Sequence, residues 1–194
     1  GHSHILANTI PNCVTYDPTF AHEVAVIMHH GMKRMVEQQE NVFYYITLLN
    51  ENYPMPGLTA GTEEQIIKGM YMCKPGAVPP QGTSGASEKR VQLLGSGTIL
   101  RESIAAQTLL AADWGIQADV WSCPSFNELT REGQDAERWN LLHPLETPRV
   151  PFVAQQLGTN TGPVVASTDY MKAYAEQIRP FIPKGRTYKV LGTD

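Results

Sequence analysis

Strand-like and helix-like segments alternate along this chain of 194 residues, and the alternation limits the folds open to it. Residues 12–16 and 41–49 are short runs of β-branched and aromatic residues, which favour strands. Helical periodicity follows each run, over 18–37 and then over 62–71. Because a helix that links two strands of one sheet makes those strands parallel, the pattern predicts an α/β fold with mostly parallel sheets flanked by helices.

The helix predicted over 18–37 has an expected start and an expected buried face. Asp17 stands at the N-cap position and Pro18 at the first helical position, where its missing N–H does no harm. Apolar residues then recur at the helical spacing. We therefore expect the following side chains to pack inward: Ala21, Val24, Ala25, Met28, Met32, Met35 and Val36.

The chain divides at residues 74–90, which are rich in proline, glycine and small polar residues and have no apolar periodicity. Such a segment buries too little apolar surface to offset its ordering entropy, so it predicts a flexible linker and a preferred protease site between domains 1–73 and 91–194. The alternation resumes after it, with strands at 91–95, 118–123, 163–168 and 188–192 and helices at 98–114, 125–140 and 169–181. No helix follows the last strand, and we expect the native polypeptide to continue there.

Charge and composition exclude some classes of partner. The net charge is −4, and no run of Lys or Arg is longer than two, so we expect neither nucleic acid nor an anionic membrane as a partner. No stretch approaches the roughly 20 consecutive apolar residues of a spanning helix, and we interpret the protein as cytoplasmic. Cys13, Cys73 and Cys123 lie far apart with no C-x-x-C pair, which favours buried thiols over disulfides or a zinc site.

The turn at 95–100, "GSGTIL", joins a predicted strand to a predicted helix. Backbone N–H groups in this setting can bind a phosphate. However, Leu100 stands where the dinucleotide-binding pattern needs its third glycine. Two interpretations remain, phosphate binding and tight packing of the turn, and the missing glycine favours packing.

The stretch 137–151, "ERWNLLHPLETPRVP", is predicted as a proline-framed loop that carries acids, bases and an aromatic side chain. Such a group would suit general acid–base catalysis, but prolines fix the backbone and favour a rigid interface loop. If Arg138 and Glu146 or a neighbouring acid form a partly buried ion pair, removing one partner should destabilise the protein strongly, because the other charge is left desolvated and unmatched. The interface candidates are Arg138, Trp139, His143, Glu146 and Arg149.

The first four residues, "GHSH", allow three interpretations: the remnant of a purification tag, a copper-binding terminus, or native internal sequence. A free Gly1 amine together with His2 and His4 would offer nitrogen ligands to copper. The residues alone do not choose among these interpretations.

Several long stretches resemble the homodimeric type of pyruvate dehydrogenase, the thiamine-diphosphate-dependent decarboxylating component of the bacterial pyruvate dehydrogenase complex. They are "TIPNCVTYDPTFAHEVAVIMHHGMKRM", "ENVFYYITLLNENYPMPG", "VQLLGSGTILRE", "GQDAERWNLLHPLETPRVP" and "VASTDYMKAYAEQIRPFIP…YKVLGTD". In that family a His-Glu-Asp segment precedes Gly-His-Ser-His and the chain continues after this end. The resemblance therefore implies that "GHSH" is internal and that the chain is a carboxy-terminal-side fragment.

The resemblance implies which domains of the complete enzyme the two parts of this chain would form. Residues 1–73 would be the latter half of the pyrimidine-side middle domain, and 91–194 most of a transketolase C-terminal-like domain. A homodimer would hold thiamine diphosphate and Mg²⁺ between subunits, decarboxylate pyruvate and acetylate a lipoyl group on the acyltransferase component.

The resemblance assigns no catalytic, cofactor-binding or metal-binding residue to this chain. The Gly-Asp-Gly segment that clamps the diphosphate is absent from the sequence, and the activating glutamate and catalytic histidine map upstream of Gly1. His2 and His4 are nearest to the family's active-site segment. We expect the isolated chain to be inactive and to bind neither cofactor. The alternative is a non-catalytic α/β assembly or binding module.

Overall fold

The computed structural model describes residues 1–77 and 89–194. Its strands form a two-stranded parallel sheet, β1–β2, and a five-stranded sheet of order β3-β5-β4-β6-β7. The strands are β1 (Cys13–Tyr16), β2 (Phe43–Ile46), β3 (Tyr71–Lys74), β4 (Arg90–Gly95), β5 (Gln117–Ser122), β6 (Val164–Ser167) and β7 (Tyr188–Leu191). The helices are α1 (Ser3–Asn8), α2 (Ala21–Met32), α3 (Glu63–Lys68), α4 (Ile99–Trp114), α5 (Phe126–Leu142), α6 (Phe152–Leu157) and α7 (Ala173–Glu176).

The five-stranded sheet is covered on both faces. Its strands run parallel except β3, which pairs antiparallel with β5 at one edge. Because successive side chains of a strand point to opposite faces, Leu93 packs with Leu100 of α4, while Leu94 packs with Phe126 of α5 and Tyr174 of α7. This arrangement confirms the predicted α/β fold with mostly parallel sheets.

The smaller sheet packs with α2 and α3, and here the predicted buried face of α2 is wrong. Met28, Met32 and Val36 are 50%, 57% and 65% exposed. The buried residues of α2 are Glu23, Ile27 and Gly31. The helical periodicity was correctly recognised, but the face of the helix that is buried is the one with Glu23, Ile27 and Gly31 and not the one with the predicted methionines.

The predicted cap of α2 is also wrong. The helix begins at Ala21, and Glu23 reaches back to accept hydrogen bonds from the backbone N–H groups of Thr19 and Phe20 at 2.6 and 3.0 Å. A glutamate in this position satisfies amide groups that no helical carbonyl can reach. Asp17 therefore does not cap α2, and its carboxylate makes other contacts.

The helix predicted over 62–71 ends at Lys68, where Gly69 adopts a left-handed conformation with φ of 103°. Tyr71–Lys74 then forms β3, an edge strand that the sequence analysis missed. The division of the chain at 74–90 stays a prediction, and residues 78–88 of that segment lie outside the described residues.

Other departures concern short elements. Helices α1 and α6 were not predicted from the sequence, and α5 continues to Leu142, two residues past the helix predicted over 125–140 and into the stretch 137–151 that was predicted as a loop. The helix predicted over 169–181 is shorter, consisting of α7 and a 3₁₀ turn at Arg179–Phe181. Strand β2 (Phe43–Ile46) is shorter than the strand predicted over 41–49 and is partly exposed. None of the helices in the described ranges is long and apolar enough to cross a membrane.

Candidate functional site

Buried polar residues connect the two sheets at the carboxyl ends of their strands, and we call this hydrogen-bonded set the seam. Asp17 follows β1, Thr47 follows β2 and Ser96 follows β4. Thr47 Oγ1 donates to Asp17 Oδ1 at 2.6 Å, and Ser96 Oγ donates to Asp17 Oδ2 at 2.9 Å. The carboxylate of Asp17 therefore connects residues that lie 30 and 79 positions away in the chain.

The Asp17 carboxylate occupies the mouth of the turn that precedes α4. Gly97 has a φ of 50°, and a Cβ added to it would lie 2.5 Å from Asp17 Oδ2. The Gly97 N–H also donates to the backbone oxygen of Asp17 at 3.0 Å. The structure thus favours the packing interpretation of "GSGTIL", because the protein's own carboxylate fills the place where a phosphate would approach.

Burial governs the acidity of Asp17. Removal from solvent raises the pKa of Asp17 to about 6, and the hydrogen bonds from Thr47 and Ser96 oppose that rise. The carboxylate is thus mostly ionised at neutral pH.

His4 is fully buried and is connected to this carboxylate through the Thr47 hydroxyl. Its ring packs against Tyr45, Tyr170 and Tyr174, with ring centroids 4.9 to 5.2 Å away. The Nε2 atom lies 3.0 Å from Thr47 Oγ1. Burial lowers the pKa of His4 to about 4, so the ring is neutral at pH 7.

The position of His4 argues against the copper interpretation of the amino terminus. His2 is exposed, whereas His4 is enclosed by aromatic rings and hydrogen-bonded to Thr47. His4 would have to leave this setting to share a metal with Gly1 and His2. Within 1–77 and 89–194, no group of three or more His, Cys, Asp or Glu residues could hold a metal ion.

A second buried network crosses the seam at Glu23. Glu23 Oε1 accepts hydrogen bonds from Tyr71 of β3 at 2.7 Å and from Ser122 of β5 at 2.5 Å. The Tyr71 hydroxyl also lies 3.0 Å from His22 Nε2. Glu23 therefore caps α2 and binds that helix to the five-stranded sheet through the same carboxylate.

The start of α5 completes the seam. Ser125 caps α5 by accepting from the Glu128 N–H at 3.0 Å, and its own hydroxyl donates to the Thr15 oxygen at 2.6 Å. Asn127 Nδ2 donates to Thr15 Oγ1 at 2.6 Å and to the His4 oxygen at 2.8 Å. Buried polar groups with this many partners fix the geometry between packed layers.

The stretch 137–151 has a compact aromatic centre. The Trp139 and His143 rings stack with centroids 4.4 Å apart, and the Arg149 guanidinium lies 4.2 Å from the Trp139 ring centroid. Asn140 also pairs with the backbone of Arg149, donating to its oxygen at 2.9 Å and accepting from its N–H at 2.7 Å.

The condition set for Arg138 and Glu146, a partly buried ion pair, is not met among the described residues. Arg138 lies on α5 and Glu146 in the segment after it, and both are exposed. Neither takes part in an ion pair within the described part of the chain. Leu145 nearby is 99% exposed, with Leu141 and Leu142 also facing solvent. The stretch presents apolar surface rather than buried charge.

Comparison with known families agrees with this architecture. Residues 69–194 match the family described as the transketolase-like C-terminal domain, and residues 1–56 match the pyruvate dehydrogenase E1 component middle domain. The chain belongs to the transketolase-like C-terminal domain family.

Curated relatives from three bacteria, Cupriavidus necator, Pseudomonas aeruginosa and Escherichia coli K12, are each named pyruvate dehydrogenase E1 component. Each is 57% identical over the whole chain, which spans 21% of each relative's length. These relatives confirm the resemblance drawn from the sequence.

Solved structures of transketolases share the fold. The Pichia stipitis R356L variant matches with a TM-score of 0.55 at 13% identity, covering 100% of this chain and 22% of that one. The Campylobacter jejuni enzyme matches with a TM-score of 0.52 at 14% identity, covering 100% and 23%. At these identities the likeness concerns the fold alone.

His4 was named from the sequence, whereas Asp17, Thr47 and Ser96 were not recognised as a group. Part of a signal was present, because Asp17 and Ser96 directly follow predicted strands, but Thr47 lies inside the strand predicted over 41–49. Polar residues at the carboxyl ends of strands meet in α/β folds. Their proximity depends on how the two sheets pack against each other, which the sequence alone does not show.

Proposed function

We propose that this chain is part of a pyruvate dehydrogenase E1 component. In the complete enzyme, thiamine diphosphate would supply the electron sink for decarboxylation of pyruvate, and the acetyl group would pass to a lipoyl group on the acyltransferase component. The observation that carries the proposal is the identity of 57% over all 194 residues to proteins of that name.

Within that enzyme, the chain's own residues hold two domains together. The Asp17 and Glu23 carboxylates each accept hydrogen bonds from residues of both sheets or their loops. Buried, fully bonded carboxylates fix one relative position of the layers. In our proposal the seam holds the middle domain and the transketolase-like domain in one fixed relative position beside the active-site entrance.

The described residues do not fit the cofactor on their own. They contain no cluster of metal ligands, and the sequence contains no Gly-Asp-Gly segment. We therefore propose that thiamine diphosphate and Mg²⁺ are held by other parts of the full-length protein. Homodimer formation, binding of the lipoyl-bearing acyltransferase and a cytoplasmic location belong to the same proposal.

The test compares the full-length protein with this chain. The full-length protein should consume pyruvate when thiamine diphosphate, Mg²⁺ and a lipoyl acceptor are present, while the 194-residue chain should not. Calorimetry should detect no tight binding of thiamine diphosphate to the chain. Pyruvate turnover by the chain, or its absence from the full-length protein, would contradict the proposal.

We also propose that 137–151 forms part of an interface in the complete enzyme. Support comes from the exposed Leu141 and Leu145 beside the Trp139 stack, since exposed apolar clusters favour contact surfaces. In the full-length protein, Leu145→Asp should weaken subunit association, measured by sedimentation velocity, with Glu146→Gln as the nearby control. Unchanged association in Leu145→Asp would place the patch outside the dimer interface.

A further inference from the structure

The His4 ring carries an unusual buried atom. Among the described residues, two buried side-chain polar atoms lack a hydrogen-bond partner, namely His4 Nδ1 and the Tyr174 hydroxyl oxygen. Their rings are neighbours, with centroids 5.1 Å apart. Since most buried polar atoms are paired, an unpaired atom of this kind needs a physical account.

Proton positions along the seam follow from the hydrogen-bond partners of Thr47. A hydroxyl has one proton, and Thr47 Oγ1 lies 2.6 Å from Asp17 Oδ1. An ionised Asp17 can only accept, so the Thr47 proton points to Asp17. The contact between Thr47 and the Tyr16 oxygen is 3.5 Å, too long to compete.

The tautomer of His4 is then determined. Thr47 Oγ1 can only accept from His4, so Nε2 carries the proton in the 3.0 Å contact between them. A neutral imidazole has one N–H, which leaves Nδ1 as a bare acceptor. The unprotonated state of Nδ1 is thus a consequence of the carboxylate two hydrogen bonds away.

We infer that Asp17 and Thr47 are positioning residues for His4: they hold its Nε2–H tautomer and present an unprotonated Nδ1 as acceptor for a hydrogen-bond donor that the described residues do not supply. This inference rests on the proposed function, in which that donor joins the site in the complete enzyme. Because His4 is fully buried in this structure, the donor, which comes either from other parts of the polypeptide or from a bound cofactor or substrate, would reach Nδ1 only after the surrounding tyrosine rings move aside.

The groups that face this relay set its dependence on pH. Asp17 is approached by Asp169 from the segment before α7 and by Glu23 of α2, both of which raise its pKa. Tyr45, Tyr170 and Tyr174 surround His4, and burial raises the pKa of Tyr170 to about 12, so that ring stays neutral. A protonated Asp17 can donate to Thr47, which frees the Thr47 proton for His4 Nε2. The tautomer is therefore expected to be fixed at pH 8 and mixed at pH 5.

The direct test is magic-angle-spinning ¹⁵N NMR of the full-length protein labelled in its histidines, with His4 assigned by difference from His4→Gln. The wild type should show protonated Nε2 and unprotonated Nδ1 at pH 8. Thr47→Val, which keeps the shape but lacks the hydroxyl, should show mixed tautomers, and Thr47→Ser should restore the wild-type spectrum. Addition of thiamine diphosphate and pyruvate should shift the Nδ1 resonance if the donor is a ligand, and leave it unchanged if the donor is polypeptide.

A kinetic test uses the same variants. Thr47→Val should lower kcat about tenfold, equivalent to about 1.4 kcal/mol of barrier, with little change in KM. Thr47→Ser should recover most of kcat. The control is Thr130→Val, which removes the hydroxyl of another buried threonine, one that donates to the Phe126 oxygen at 2.8 Å within α5, so its kcat should stay within about twofold of the wild type.

The inference is overturned if Thr47→Val keeps the Nε2–H tautomer, if the wild type at pH 8 carries the proton on Nδ1, or if Thr130→Val loses as much kcat as Thr47→Val. The last result would mean that Thr47 affects kcat only by holding the fold. Absence of pyruvate turnover in the full-length protein would refute the proposed function instead, and the NMR spectra would still decide the tautomer.

Discussion

The two sheets differ in how their apolar surface is covered. In the five-stranded sheet, α4 lies on one face and α5, α6 and α7 lie on the other, and the core residues are almost fully buried. The two-stranded sheet has a smaller core, and an apolar stripe is exposed at Met28 and Met32 of α2 and at Val36 in the π-helical turn that follows it. Parallel sheets are normally covered on both faces. Apolar periodicity therefore predicts which face of a helix could pack, but that face is buried only where another element of the fold lies against it.

The electrostatic surroundings of buried aspartates also differ between the two regions. Asp119 of β5 lies in the five-stranded sheet, where burial raises its pKa but hydrogen bonds from Gly76, Gln92 and Arg90 outweigh burial and leave the pKa below its usual value. Asp17 at the seam accepts hydrogen bonds from two hydroxyl groups and forms no ion pair within residues 1–77 and 89–194, and its pKa is raised to about 6. A buried carboxylate keeps its charge easily only where strong donors surround it.

The largest expected effect tests the difference between the cores. Phe126→Ala should lower the free energy of unfolding by about 3–5 kcal/mol, because it leaves a cavity beside Tyr174 in the larger core. Met32→Ala should change it by less than about 0.5 kcal/mol, because that side chain faces solvent. Urea unfolding of this chain measures both. Similar losses in the two variants would show that the α2 stripe is covered in solution.

The next effect concerns the turn where the sheets meet. Gly97 and Gly115 flank α4 and both have positive φ, of 50° and 62°. At Gly97 a Cβ would also strike the Asp17 carboxylate, whereas nothing lies within 4 Å at Gly115. Gly97→Ala should therefore cost about 2–4 kcal/mol and Gly115→Ala about 1 kcal/mol. Equal thermal shifts in the two variants would mean that Asp17 moves aside easily.

A third effect is the pH dependence that Asp17 gives to stability. Because its folded pKa is raised, its contribution is fully present below its unfolded pKa of about 3.8 and is lost as pH rises through about 6. Relative to Asp17→Asn, the wild type should lose roughly 2–3 kcal/mol between pH 4 and pH 7.5. His4 has the opposite sign, since its lowered pKa makes its contribution disappear as pH falls through about 4. Urea midpoints of both proteins across this range give the difference, and parallel curves would contradict the buried Asp17.

The smallest effect is expected at 137–151. Arg138 is exposed without an ion-pair partner among the described residues, so Arg138→Ala should change the melting temperature of this chain very little. Arg149→Ala removes the cation from the Trp139 ring and should cost about 0.5–1 kcal/mol. A loss of several kcal/mol in Arg138→Ala would restore the buried ion pair considered from the sequence.

Much of the fold was predictable because it is encoded locally. Strands β1, β4, β5, β6 and β7 and helices α4 and α5 follow from β-branched runs and helical periods in short windows. The errors fall on short elements such as β3 and α6, which have little local signal and are held by their neighbours.

The candidate site was less predictable because its members are distant in sequence. His4, Asp17, Thr47 and Ser96 come from four separate segments, and ordinary polar residues at strand ends carry no distinctive spacing. The resemblance to pyruvate dehydrogenase drew attention to His4, yet nothing in the sequence indicated that His4 is enclosed and bonded to Thr47. Only the docking of the sheets created those contacts.

The sequence by itself determined the α/β class, the parallel strand direction and most elements of the larger domain, because periodicity and turn residues act within a few positions of the chain. The tertiary structure decided which stripe of α2 is buried, that Asp17 fills the turn before α4, and which nitrogen of His4 carries the proton. Those outcomes depend on atoms brought together from residues 30 to 79 positions apart. Local preferences limit what each segment can form, but desolvation and hydrogen bonding across the seam select the final arrangement.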